Sequence, residues 1–190
     1  MASHVALLRG INVGGRNKIA MTELREVVTS LGHTGVTTYI QSGNVLFTTP
    51  DSDSARLASA LQSAITGAFG IAASVVVLSR DELAQVLAGN PYPGEANPKL
   101  VHVLFLNAEP PRDLLDRIMA AESAAAAKGS RDTLTATGRA LFLHTPDGYG
   151  TSELAQVVFR IMGIPGKTGI AATARNWATA TKLLSLCEEN

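Results

Sequence analysis

The turn and strand Ser42-Gly43-Asn44-Val45-Leu46-Phe47 return 95 positions later as Thr137-Gly138-Arg139-Ala140-Leu141-Phe142. Each copy is a glycine-containing turn that leads into an apolar run, which is typical of a tight β-hairpin. A second pair, Phe69-Gly70 and Met162-Gly163, repeats at a separation of 93. Repetition of this kind inside one chain predicts that the fold contains two similar halves.

Hydrophobic periodicity on either side of the turn predicts the same order of elements in both halves. In the first half a strand precedes a helix, the hairpin, a second helix, a fourth strand and a short helix. The second half repeats this order. The predicted strands are residues 5–8, 36–40, 45–49, 73–78, 100–106, 131–136, 140–144 and 170–173, and the predicted helices are residues 21–31, 51–69, 80–87, 111–128, 152–162 and 175–186.

Each half is therefore expected to be βαββαβ followed by one helix, which is the ferredoxin-like arrangement. We predict an α/β (α+β) fold of two tandem ferredoxin-like (βαββαβ) α/β plait subdomains with an extra C-terminal helix. The first subdomain would be residues 1–95 and the second residues 96–190, because a proline-rich linker, residues 90–94, closes the first half.

The composition is that of a globular protein, with 46% hydrophobic and 17% charged residues among 190. No apolar run approaches the ~18 residues of a membrane span. The apolar stretch at the start is too short for a signal peptide, so we expect a cytoplasmic protein that does not contact membranes. A single cysteine, Cys187, excludes an internal disulfide. The histidines show no metal-ligand spacing, and we expect no obligatory cofactor.

The formal net charge is zero, but basic residues concentrate near both ends of the chain. Residues 1–22 and residues 154–187 contain no acidic residue. One interpretation is ordinary unevenness. The other is a shared anion-binding surface built from both segments, because local positive potential attracts phosphate even when the net charge is zero. The basic residues of the two segments are Arg9, Arg16, Lys18, Arg160, Lys167, Arg175 and Lys182.

The loop after the first strand is a candidate anion site. Its glycines, Gly10, Gly14 and Gly15, allow backbone N–H groups to approach a ligand, and successive N–H groups can form an anion nest. The spacing is neither the Walker pattern nor G-x-G-x-x-G. The alternative is a long turn whose glycines serve geometry alone. Charge and hydrogen bonds would come from Arg9, Asn12, Arg16, Asn17 and Lys18.

A second candidate site lies where the terminal helix is predicted to begin. On a helix, Arg175, Thr179 and Lys182 share one face. Arg175 and Asn176 in the first turn would suit a phosphate or a carboxylate. Trp177 is interpreted either as a core anchor or as a stacking platform for a base.

Three motifs support an identification. They are Leu-Leu-Arg-Gly-Ile-Asn-Val-Gly-Gly at residues 7–15, Tyr-Ile-Gln-Ser-Gly-Asn-Val at residues 39–45, and Arg-Asn-Trp followed by Lys-Leu-Leu within residues 175–184. Together they resemble the bacterial domain of unknown function 1697 family, over nearly the whole chain. The resemblance implies two ferredoxin-like subdomains and brings no activity, cofactor or catalytic residue. This chain departs from the family pattern at residues 151–153, Thr-Ser-Glu, where Arg-Ser-Lys is frequent, and at Ala174, where Thr is frequent.

Three functional hypotheses stay open. The first is binding of a phosphate-bearing ligand, either a nucleotide or a nucleic acid, at a basic surface. The second is a small enzyme acting on a phosphorylated or carboxylated substrate, for which the sequence offers no clear general base. The third is a purely structural role for the motifs, and a homodimer through strand edges is a further expectation. The binding hypothesis assigns the ligand to Arg9, Asn12, Gly14, Gly15, Lys18, Gln41, Ser42, Asn44, Arg175, Asn176, Trp177 and Lys182.

Overall fold

The structure is a computed structural model that describes residues 2–162 and 169–189. Gly163 of the second repeat pair and Lys167 of the basic C-terminal segment lie outside the described residues. Within the described part the protein is a mixed α/β fold with two four-stranded antiparallel sheets and six α-helices. No described helix is long and apolar enough to cross a membrane.

The chain forms two compact units, and their elements follow the predicted order. The first unit comprises Met1–Gln85 and Thr181–Asn190, and the second comprises Val86–Ala180. The subdomain boundary after residue 95 stays a prediction. The elements of the first half are β1 (His4–Arg9), α1 (Met21–Ser30), β2 (Thr34–Tyr39), β3 (Asn44–Thr48), α2 (Ser54–Phe69), β4 (Ser74–Ser79) and α3 (Arg80–Ala88).

The second half contains the same elements and one additional 3-10 turn, Tyr149–Thr151. The strands are ordered β2-β3-β1-β4 in the first sheet and β6-β7-β5-β8 in the second. Neighbouring strands are antiparallel in both sheets. The elements are β5 (Val101–Leu106), α4 (Arg112–Ala127), β6 (Thr133–Thr137), β7 (Ala140–His144), α5 (Glu153–Ile161), β8 (Ala172–Asn176) and α6 (Trp177–Glu189).

The central strands are buried on both faces, which is why they read as continuous apolar runs. In β1, Ala6 and Leu8 belong to the core that includes the apolar faces of α1 and α2. Val5 and Leu7 lie on the other face, because side chains alternate along a strand, and they are equally buried. Because both faces are apolar and buried, the hydrophobic pattern alone does not show the register of these strands.

The sequence repeat aligns the two hairpins at a separation of 95 residues. The structural equivalence of their strands differs from that alignment by one residue. Phe47 pairs with His4 at the start of the first sheet, and in the second sheet Leu143 pairs with His102. Phe47 and Leu143 both belong to the helix-facing cores, whereas Phe142 does not. The residue that corresponds to Phe47 is therefore Leu143, and the two phenylalanines of the repeated motif lie on opposite faces of their sheets.

The terminal helix begins two residues later than the sequence predicts. Arg175 and Asn176 end β8, where Arg175 pairs with Val103. Asn176 Oδ1 accepts a hydrogen bond of 2.9 Å from the backbone N–H of Thr179 and so caps α6. The prediction that Arg175, Thr179 and Lys182 share one helix face is wrong, because Arg175 is a strand residue.

Gly43 is required by packing at the turn between β2 and β3. A Cβ atom there would lie 2.7 Å from Leu8 Cβ and 3.0 Å from Ile11 Cδ1, and the φ angle of Gly43 is +80°. The carbonyl of Gly43 also accepts a hydrogen bond of 2.8 Å from Leu8 N–H. The turn is thereby held against the end of β1.

We expect Gly43→Ala to lower the free energy of unfolding by about 2–4 kcal/mol, because left-handed strain and overpacking add. Gly70→Ala is the matched control, since Gly70 has a φ of +66° but no atom within 4 Å of a built Cβ. It should lose only about 1 kcal/mol. Urea unfolding of both variants measures the difference, and equal losses would show that packing at Gly43 contributes nothing.

Candidate functional site

Asn12 organises the glycine-rich loop between β1 and α1. Its Nδ2 donates hydrogen bonds of 3.0 Å to the carbonyl oxygens of Ile19 and Gln41, and its Oδ1 accepts one of 2.9 Å from Ile19 N–H. Asn17 Nδ2 donates to the carbonyl of Gly10 at 2.6 Å. These bonds join the two ends of the loop and attach it to the turn between β2 and β3.

The loop backbone depends on left-handed conformations at several positions. Asn12 and Asn17 have φ angles of 52° and 50°, and asparagine tolerates this region better than most residues. Gly14 and Gly15 have φ angles of 58° and 75°. The predicted need for glycine in this loop therefore has a geometric cause, which is compatible with both the anion-site and the turn interpretations.

A surface pocket of about 320 Å³ opens beside the loop. It extends to the start of α1, where Ala20 occupies the capping position and makes no side-chain hydrogen bond. The N-terminus of a helix without a capping side chain presents N–H groups and the positive end of the helix dipole. The pocket is lined by Asn12, Gly15, Lys18, Ile19, Ala20 and Gln41.

Two basic side chains of the loop are exposed. Lys18 lines the pocket, and Arg16 lies two residues earlier. Neither side chain has an ion pair or hydrogen bond within residues 2–162 and 169–189. Arg9 differs, since it ends β1 opposite Ser74 and is half-buried. Of the three cations, Lys18 lines the pocket and Arg16 is exposed on the same loop.

The turn after β2 supplies two exposed polar residues, Gln41 and Ser42, and one buried one, Asn44. Gln41 lines the pocket and is exposed. Asn44 is fully buried, and its Nδ2 donates to the carbonyl of Tyr39 at 3.0 Å and to Ser42 Oγ at 3.1 Å. Beside them Ile40 has a φ of 49°, an uncommon conformation for a β-branched residue. Asn44 and Ser42 shape the turn, while Gln41 faces the space that a ligand would occupy.

Arg175 is a buried strand residue with 8% of its surface exposed. Its Nη1 donates hydrogen bonds to Thr173 Oγ1 at 2.8 Å and to the carbonyl of Ala174 at 2.7 Å. Burial lowers the pKa of its guanidinium from 12.5 to about 10, so it stays protonated at neutral pH. Both hydrogen bonds lie within β8, so Nη1 of this buried guanidinium already bonds to the protein itself.

The other C-terminal candidates have structural contacts as well. Trp177 contacts the ring of Phe142, with ring centroids 6.5 Å apart. Lys182 Nζ lies 3.5 Å from Glu189 Oε1. The contact with Phe142, which lies in the same unit, favours the interpretation of Trp177 as a core anchor. That the two basic segments form one surface stays a prediction.

Residues 151–153, where the sequence resemblance led us to expect a departure, line another pocket, of about 330 Å³, in the second unit. The buried Asp132 accepts a hydrogen bond of 2.7 Å from Ser152 Oγ, and Ser152 caps α5. Glu153 pairs with Lys128 at 3.0 Å. Charged side chains of this pocket thus already have hydrogen-bond or ion-pair partners, whereas Lys18 in the pocket beside the glycine-rich loop has none among the described residues.

The sequence analysis did not predict that histidine side chains would be buried with unbonded nitrogens. The positions of the histidines in the sequence do not indicate burial. Three of their nitrogen atoms are buried without a hydrogen-bond partner in the described residues: His4 Nε2, His33 Nε2 and His102 Nδ1. The ring of His102 stacks on Tyr149, with centroids 3.8 Å apart. Burial lowers the pKa of His102 from 6.5 to about 4, so its imidazole is neutral in the fold at neutral pH.

Because the unfolded chain binds this proton near pH 6.5 and the fold resists it until about pH 4, stability should fall as the pH decreases through this window. We expect His102 to contribute about 1–2 kcal/mol of the loss between about pH 7.5 and 5. Urea unfolding of His102→Gln should show a smaller pH dependence than the natural protein. An unchanged dependence would contradict the assignment.

The geometry defines a class of protein with two antiparallel four-stranded sheets, six described helices and a pinned glycine-rich loop before the first helix. The chain belongs to the family described as Protein of unknown function (DUF1697), whose model matches residues 1–142. This confirms the family identification made from the sequence. The match ends before the Arg-Asn-Trp motif at residues 175–177.

One solved structure is similar over almost the entire length. It is the structure of conserved bacterial protein SP0830 from Streptococcus pneumoniae, which covers 98% of each chain with a TM-score of 0.69 and 26% sequence identity. No curated protein matches the chain significantly. The comparisons thus give a family and a fold neighbour without an activity.

Proposed function

We propose that this protein binds a phosphate-bearing ligand, either a nucleotide or a nucleic acid, at the pocket beside its glycine-rich loop. The observation that carries the proposal is the pocket itself. It combines the uncapped start of α1 with Lys18 and exposed loop backbone, and the exposed Arg16 follows the lining residue Gly15 in the sequence. Helix N-termini and glycine-rich backbone both favour anions, and basic side chains reinforce them.

The lining favours binding over acid–base catalysis. Its residues include an ammonium group and two amides but no carboxylate, imidazole or thiol. General acid–base chemistry needs a group that can exchange a proton near neutral pH and lies within reach of the substrate. The enzyme hypothesis therefore has less support here than the binding hypothesis.

The residues predicted to bind take different roles in this proposal. Lys18 and Arg16 contact the anion, Gln41 orients the ligand, and Gly14 and Gly15 allow close approach of the backbone. Asn12, Ser42 and Asn44 hold the loop and turn, since their hydrogen bonds go to the protein itself. Arg9, which is half-buried, contributes positive electrostatic potential at longer range. Arg175, Asn176, Trp177 and Lys182 are assigned to structure because of their contacts described above.

The corresponding loop of the second unit supports a single site per chain. Between β5 and α4 the connection is only residues 107–111, Asn-Ala-Glu-Pro-Pro. It contains an acidic residue, Glu109, and no basic one. These five residues lack glycine, although two cations flank them: Arg112 begins α4, and Arg139 Nε donates to the Leu106 carbonyl at 3.2 Å.

We also propose that both units are ferredoxin-like repeats, each followed by a helix. The matching strand orders support it. So does the start of the following helix, which is capped by the last strand residue in each half. Ser79 Oγ accepts from Glu82 N–H at 3.1 Å, and Asn176 Oδ1 accepts from Thr179 N–H at 2.9 Å. A cytoplasmic location and a homodimer stay predictions.

We expect Arg16→Ala and Lys18→Ala each to weaken binding about tenfold, because each removes one charge-assisted contact. The measurement is equilibrium binding of inorganic pyrophosphate, ATP and a short oligouridine at low salt. Arg117→Ala and Lys99→Ala are matched controls, since both residues are exposed cations of the second unit. The melting temperature should not change in any of the four variants.

The salt dependence separates the two ligand classes. Affinity for a nucleic acid should fall steeply with salt because counterions are released from the strand. Affinity for ATP should fall much less. If none of the three ligands binds, or if the control variants lose as much affinity as the loop variants, this pocket is not a phosphate site.

A further inference from the structure

At one end of the first sheet two imidazoles contact the same aromatic ring. His4 begins β1 and His33 directly precedes β2. Their ring centroids lie 5.7 Å and 4.7 Å from that of Phe47 in β3. Both histidines are more than nine-tenths buried, with 5% and 8% of their surfaces exposed. The site lies at the opposite end of β1 from the glycine-rich loop.

Each of these imidazoles has an unsatisfied nitrogen. Nε2 of His4 and Nε2 of His33 have no hydrogen-bond partner among the described residues. His4 Nδ1 is hydrogen-bonded to Ser3 Oγ at 2.8 Å. A neutral imidazole tolerates an unbonded nitrogen at moderate cost, whereas a buried imidazolium without an acceptor at that nitrogen costs far more. The packed arrangement therefore favours neutral rings.

Nearby carboxylates favour the protonated form of the two rings, but they offset the effect of burial only in part. Asp51, between β3 and α2, acts on both histidines, and Glu82 on α3 acts on His4. The two imidazoles also repel each other's positive charge. Burial is the largest influence, and the net result is a pKa below 6.5 for both. Protonation is therefore coupled to leaving the buried position.

The start of β2, next to His33, has few regular backbone contacts with the rest of the sheet. β2 is an edge strand, and its ladder with β3 is irregular between Thr34 and Thr37. Thr34 and Gly35 are exposed. The buried contact of His33 with Phe47 is thus a main attachment of this segment to the core. Edge segments with few ladder bonds are the parts of a fold that open locally.

We propose that His33, assisted by His4, is a proton-operated latch that releases the start of β2 from Phe47 in mildly acidic solution while the rest of the first unit stays folded. The direction follows from linkage. The closed state is fully favoured above about pH 6.5, and it loses its advantage as the pH falls below that value because the open state binds more protons.

Hydrogen exchange tests the latch directly. After correction for the intrinsic pH dependence of exchange, amides of residues 33–37 and of Thr48, which pairs with β2, should lose protection between about pH 7.5 and 5. Amides of β1 and α2 should keep theirs. His33→Phe retains a ring against Phe47 without a titratable nitrogen and should abolish the change. His144→Gln is the control, because His144 pairs with Glu95 in the second unit and should leave the change intact.

An NMR titration of the imidazoles in the natural protein covers the case in which His33→Phe folds poorly. It should place His33 below the unperturbed pKa of 6.5. Three results would overturn the proposal: protection that is equal at the two pH values, protection lost uniformly over the whole unit, or an ordinary titration of His33. The same local opening in His33→Phe would equally exclude His33 as the latch.

Discussion

The close packing of the turn after β2 against the end of β1 positions the glycine-rich loop and the pocket beside it. Gly43 lies against Leu8 and Ile11, with no room for a Cβ atom. Because this contact fixes the turn, the carbonyl of Gln41 is in place to accept from Asn12. Asn12 also bonds to Ile19 and so joins the two ends of the glycine-rich loop. The pocket beside α1 is thus a consequence of one sterically required glycine and one asparagine.

Much of the fold could be predicted because its elements are short and strongly patterned. The apolar runs of β1 and β5 and the glycine turns gave the element order correctly. The error at Phe47 and Phe142 arose because identical residue types were matched, whereas burial of both sheet faces removes the alternation that would have shown the slip. The start of α6 was misplaced for a similar reason. Arg175 suits a helix locally, and only pairing of β8 with β5 makes it a strand residue.

The candidate site was predicted in part. Glycine, asparagine and basic residues in one loop signalled its location, and the structure adds the uncapped start of α1 at Ala20. What the sequence could not show is which polar groups are already used. Asn12 and Asn44 look like ligand residues by type, but their amides bond to the backbone or to Ser42. The unpartnered nitrogens of His4 and His33 were equally invisible, because burial is a property of the assembled sheet.

The two units show how one arrangement of strands can carry different chemistry at equivalent positions. His33 directly precedes the edge strand β2, and Asp132 directly precedes the edge strand β6. Both side chains are buried. Asp132 accepts a hydrogen bond from the capping residue of α5, so its charge has a partner. His33 has an aromatic neighbour and an unbonded nitrogen instead. The two positions therefore differ: the Asp132 carboxyl accepts a hydrogen bond, whereas a proton bound at His33 would create a charge with no acceptor at Nε2 among the described residues. Acid sensitivity at the edge strand is thus a property of the side chain placed there, and the shared backbone does not dictate it.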